Sequence, residues 1–85
     1  MIEKAKALVR QYIDANTEYE NYTLFVVWQA KALQNFKCLI STTLPRWTYF
    51  ELTYDGDRKR WYFDVYRKVE NQEIPDDRIH EQPDP

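Results

Sequence analysis

The residues able to do chemistry in this chain are few. Cys38 is the sole cysteine and His80 the sole histidine. A cysteine nucleophile needs a base held within hydrogen-bond reach, yet His80 sits in a proline-containing C-terminal stretch, while Cys38 sits in an apolar alternating run where a small buried thiol is the ordinary outcome. A single cysteine excludes an intrachain disulfide, and no other Cys or His stands at metal-ligand spacing. Glu51 and Asp64 could neighbour each other as a carboxylate pair, for acid–base work or for a divalent ion. Lys31, Lys37 and Lys68 would share their face, and simple charge pairing accounts for all five. The only glycine is Gly56, so no phosphate-cradling loop can form. This inventory predicts a protein that is not an enzyme and takes no cofactor and no metal.

Arg58-Lys59-Arg60, followed by Trp61 and Tyr62, offers cations for phosphates and aromatic faces for bases. The charge balance argues against nucleic acid as the partner. From Met1 to Val69, eleven Lys or Arg stand against eight Asp or Glu, a net +3; from Glu70 to Pro85, one Arg stands against six acids, a net −5. The body is only mildly basic and the end of the chain opposes it.

With 85 residues the chain is one domain, near the lower size limit for a self-sufficient core. The expected organisation is a domain over 1–69 and an acidic, Pro-containing tail over 70–85. The tail has two large aliphatic residues, Ile74 and Ile79, and is expected to be flexible because it buries too little to offset its ordering entropy. Met1-Ile2-Glu3-Lys4-Ala5-Lys6 is charged where a signal peptide needs an apolar run, and no stretch of 18 apolar residues occurs. The expected location is therefore the cytoplasm, without membrane contact, and the Asn21-Tyr22-Thr23 glycosylation pattern reads as chance.

The elements that must position these groups follow from periodicity. Ile2, Ala5, Leu8, Val9, Tyr12 and Ile13 recur at helical spacing, which predicts an amphipathic helix over residues 2–16. Four runs rich in β-branched and aromatic residues follow, at Tyr22–Leu33, Phe36–Leu44, Trp47–Tyr54 and Arg60–Val69. Gln34-Asn35, Pro45-Arg46 and Asp55-Gly56-Asp57 mark the turns. Such short links allow only antiparallel neighbours, so the fold class is α+β, one N-terminal helix packed on a four-stranded antiparallel meander.

Strict alternation assigns the faces. Val26, Trp28, Ala30, Ala32, Phe36, Cys38, Ile40, Phe50, Leu52, Phe63 and Val65 form the apolar face that takes the helix. The other face then carries Lys31, Lys37, Tyr49, Glu51, Tyr62, Asp64, Tyr66 and Lys68, the candidate binding residues. Cross-strand pairing explains tyrosines there; a recognition surface does so as well, because tyrosine gives large rigid contact area with a polar tip.

The run Phe25-Val26-Val27-Trp28-Gln29-Ala30-Lys31-Ala32-Leu33-Gln34-Asn35-Phe36-Lys37-Cys38, continuing to Leu44, resembles the core of a small uncharacterised protein family encoded by phages and prophages of Gram-positive bacteria. Tyr49, Glu51, Thr53-Tyr54, Gly56-Asp57, Lys59, Tyr62, Asp64, Tyr66 and Lys68 continue the similarity. The chain departs from that pattern in its acidic tail and in Pro45-Arg46, where an Asp-Gly-like turn is usual. The resemblance implies a small phage accessory protein and transfers no catalytic residue. The resulting expectation is a counter-defence inhibitor that binds and blocks a protein of the host cell through the tyrosine-bearing face. A homodimeric or larger sponge for an anionic nucleotide, with lysines on phosphate and tyrosines on the base, is the alternative. A self-assembling structural component of a phage is the third.

Overall fold

The computed structural model describes residues 1–47 and 49–83. Helix α1 spans Ile2–Asn16 and is followed by strands β1 (Leu24–Ala32), β2 (Asn35–Thr42), β3 (Tyr49–Asp55) and β4 (Arg60–Tyr66). The strands form one antiparallel sheet in the order β1-β2-β3-β4, the expected meander. Beyond β4, among the described residues, a single 3-10 turn, Asp76–Arg78, interrupts an exposed segment. No helix among the described residues is long and apolar enough to cross a membrane.

The helix buries the predicted stripe. Ala5, Val9 and Ile13, one per turn, are fully buried, with Ile2, Leu8 and Tyr12 packed at their flanks. It stops where Thr17 turns extended, its amide and hydroxyl both donating to the Ile13 carbonyl. Under the helix, alternate residues of the inner strands supply the core: Phe36, Cys38 and Ile40 from β2, Phe50 and Leu52 from β3. Phe63 and Val65 from β4 pack at its edge.

Two stretches depart from the alternation read in the sequence. Trp47, expected to open the third strand, precedes it and plugs the core at 2% exposure, against the Tyr12 and Phe50 rings and under the Arg46 guanidinium. The segment before it begins with an inward turn, the Thr42 hydroxyl accepting the Leu44 amide at 3.0 Å. The first hairpin also turns one residue early, at Leu33-Gln34, with Leu33 at φ 57°, so Asn35 already belongs to β2 opposite Ala32.

The larger departure is a β-bulge. Val26 pairs with Ile40, but Trp28 pairs with Leu39, leaving Val27 as an extra residue. A bulge inverts facing for everything on one side of it relative to strict alternation. Trp28, Ala30 and Ala32 therefore lie on the open face, not on the helix face, and Gln29 and Lys31 lie opposite Cys38 and Phe36 on the helix side. Because Val26 and Trp28 already face consecutive positions of β2, deleting Val27 should leave every other side chain facing as before. A Val27 deletion is expected to keep the helical and sheet circular dichroism and to change unfolding free energy by about 1 kcal/mol or less, whereas deleting Ile40, which shifts a central strand, should unfold the chain.

Candidate interaction face

Facing away from α1 is a sheet surface that no described element covers. Its rows follow from the register. Ala30, Lys37, Thr53 and Tyr62 lie side by side across the four strands, and Trp28, Leu39, Glu51 and Asp64 form the next row. Tyr49 then pairs with Tyr66 across β3 and β4, while Phe25 pairs with Ser41 at the β1 end. Phe25, Trp28, Tyr49, Tyr62 and Tyr66 retain 39–47% of their surface in solvent. Isolated exposed apolar residues are ordinary on proteins, but five large ones on one sheet face mark a contact surface.

The face is charge-balanced rather than basic. Lys37 reaches Glu51 at 3.4 Å, an exposed pair of little energetic worth. Glu51 and Asp64 are direct cross-strand partners, as the sequence suggested, and Lys37 offsets the like-charge contact between them. At the β4 end, Leu39, Tyr49, Glu51 and Tyr66 floor an open cavity of about 620 Å³, bordered by Arg67–Glu70 as the chain leaves the sheet. Two cations, Arg67 and Lys68, and two acids, Glu51 and Glu70, line it.

Of the eight residues selected from sequence, Lys37, Tyr49, Glu51, Tyr62, Asp64 and Tyr66 occupy this face. Lys68 borders it from beyond the last strand. Lys31 does not belong to it. The Val27 bulge turns Lys31 to the helix side, beside Gln29, Phe36 and the Met1-Ile2 start of α1, around a separate cavity of about 360 Å³. Phe25, Trp28, Leu39 and Arg67 were not selected and do belong. The signal for the first two was present: Phe25-Val26-Val27-Trp28 is a run of four apolar residues at a sheet edge, more than two-fold alternation can place on a single buried face.

The remaining reactive group is inert in this setting. Cys38 is fully buried between the strand neighbours Gln29 and Leu52, and desolvation raises its thiol above the ordinary range, so it stays protonated near neutral pH. The Arg58-Lys59-Arg60 stretch lies at the turn of the β3–β4 hairpin, where Arg58 approaches Asp55 at 3.9 Å.

The model of a family of unknown function, DUF6275, matches residues 2–76, from the first residue of α1 to ten residues beyond β4. Neither the curated proteins nor the solved structures contain a match.

Proposed function

The chain belongs to the DUF6275 family, and from its uncovered aromatic face we propose that it is a non-enzymatic binding protein that captures a protein partner on the open side of its sheet. The observation that carries this reading is the set Phe25, Trp28, Leu39, Tyr49 and Tyr66, with Tyr62 beyond Asp64, on a face that α1 leaves bare. Aromatic anchors suit the centre of a protein interface, because they bury large area at small entropic cost. The resemblance to phage and prophage proteins supplies the setting: an accessory protein that binds and blocks a host factor, most directly one of the host's defence proteins. Stoichiometric blocking needs a surface and no catalytic group.

A purified defence protein captured by the wild-type chain should lose affinity by roughly 30-fold or more for Trp28→Ala or Tyr66→Ala, the cost of removing an interface anchor. Lys31→Ala, on the other side of the sheet, should leave affinity within about two-fold, as a peripheral substitution does. Equal loss for Lys31→Ala and Trp28→Ala would sink the assignment of the open face.

The nucleotide-sponge reading draws support from one feature, the cavity of about 620 Å³, which is of small-ligand size. Two of the three lysines that the sequence offers for phosphate weaken it: Lys31 lies on the opposite face and Lys37 is engaged with Glu51. Only Arg67 and Lys68 remain beside Tyr66, and Glu51 and Glu70 cancel their charge. Calorimetric titration with a cyclic dinucleotide that showed binding abolished by Lys68→Ala, with no protein captured, would favour the sponge.

A further inference from the structure

We propose that the free edge of β1 pairs with the β1 edge of a second copy, making a continuous eight-stranded sheet whose two open faces merge into one binding surface. The inference stands independently of what that surface binds. It starts from the half of β1 beyond the bulge: Trp28-Gln29-Ala30-Lys31-Ala32 contains no buried residue. In a single chain these five residues pair with β2 on one side and with no described strand on the other, yet they belong to the longest strand of the sheet.

The two edges of the sheet are built differently. The β4 edge carries Arg60 and Asp64 and runs into Arg67 and Lys68, the charged pattern that protects an edge from joining another strand. The outer half of β1 has one charge, Lys31, and runs into Leu33 of the turn, which is 89% exposed. A bare, weakly charged edge is a template for strand addition.

A second copy fits that template better than an arbitrary strand because the segment is self-complementary about a two-fold axis at Ala30. An antiparallel pair centred there sets Trp28 opposite the partner's Ala32, Ala30 opposite the partner's Ala30, and Gln29 opposite the partner's Lys31. On the open face the large indole then lies over a small methyl at both ends. On the helix side each Lys31 meets an amide instead of another cation, so no like charges face each other. The bulge at Val27 bends the strand just before this segment and confines the pairing to it. The two-fold axis stands perpendicular to the sheet, so both sets of Phe25 and Trp28 fall on the same side. The partner copy thereby contributes two of the aromatic groups at the middle of the merged face. Alongside the seam on the other side, Met1 and Ile2 border the cavity of about 360 Å³ with Gln29 and Lys31, adding apolar area to a strand contact that alone falls short of a standard interface.

The test uses the full chain in analytical ultracentrifugation over a micromolar to millimolar series. The expected wild-type species has twice the 10.4 kDa of one chain. Ala30 is exposed, so Ala30→Lys and Ala30→Glu should each fold and, by setting like charges against each other at the axis, weaken self-association on the order of 100-fold. Mixing the two variants should restore a one-to-one dimer. Tyr62→Asp, on the far edge of the same face, should dimerise like the wild type. A wild-type chain that stays monomeric throughout overturns the proposal. So does a dimer unaffected by the Ala30 charges, failure of the mixed variants to associate, or a dimer broken by Tyr62→Asp, which would place the contact across the face.

Discussion

Phe50→Ala is expected to remove most of the folding stability of this chain, and to do so without touching the proposed binding face. Phe50 is fully buried near the start of β3, paired with Ile40 of β2 and Val65 of β4. Its ring meets Tyr12 from the helix at 5.9 Å, Trp47 from the inward loop at 6.0 Å and Phe63 from β4 at 5.7 Å. The ring thus meets the helix, the loop and β4 at once, so truncation leaves a void that no single element can close. Phenylalanine-to-alanine changes at such sites cost about 3–5 kcal/mol. A domain of this size holds only about 4–13 kcal/mol in total, at roughly 0.05–0.15 kcal/mol per residue. Urea unfolding should therefore show the midpoint falling by roughly 2 M or more, given a slope of about 1–2 kcal/mol/M for a small domain. Tyr62→Ala, on the open face of the same sheet, should move it by less than about 0.5 M. Comparable losses for the two variants would mean that the open face is packed against something and is not a free surface.

How much of this was legible in the sequence depends on whether the local pattern carried the information. The helix was, because six apolar residues at helical spacing have only one way to share a face, and strand number and order were, because links of a few residues cannot carry a strand across the sheet. The side assignment of β2, β3 and β4 also followed, since their alternation is unbroken from Asn35 to Thr42, Tyr49 to Asp55 and Arg60 to Tyr66. Beyond the bulge, β1 was read on the wrong side. A bulge is an extra residue without a side-chain signature of its own, and counting by twos through Val27 carries Trp28 into the core and Lys31 out of it. That single inserted residue explains why the sequence produced a lysine-rich, tyrosine-studded face where the structure has an aromatic, charge-balanced one. Trp47 was misplaced for a different reason: its burial depends on Tyr12, thirty-five positions earlier, and no local pattern reports a contact at that separation.

Gly56→Ala should be the most damaging substitution outside the core, and the cause lies in contact between the two hairpin ends. Gly56 does not use a left-handed backbone, so its freedom of φ is not what the turn requires. What it provides is room. A Cβ at this position would run into the main-chain carbonyl oxygen of Gln34 and lie 2.6 Å and 2.7 Å from the Cβ and Cγ of that residue. The two turns are clasped at this point: the Gly56 amide donates to Asn35 Oδ1 at 3.1 Å, and the Gln34 side-chain amide donates to Asp57. Below them Asp55 Oδ1 accepts the Asp57 and Arg58 amides and shapes the second turn. A methyl group at residue 56 must push the hairpins apart, with an overpacking cost of roughly 1–3 kcal/mol and about 1 kcal/mol more if the bond to Asn35 is lost. Asn35→Ala isolates the second contribution and should cost only about 1 kcal/mol. Because the nearest obstruction is backbone, the double variant Gln34→Ala with Gly56→Ala should recover little of the loss in urea unfolding. Full recovery would show that the glutamine side chain alone fills the space, and that the hairpin ends are less closely joined than their hydrogen bonds imply.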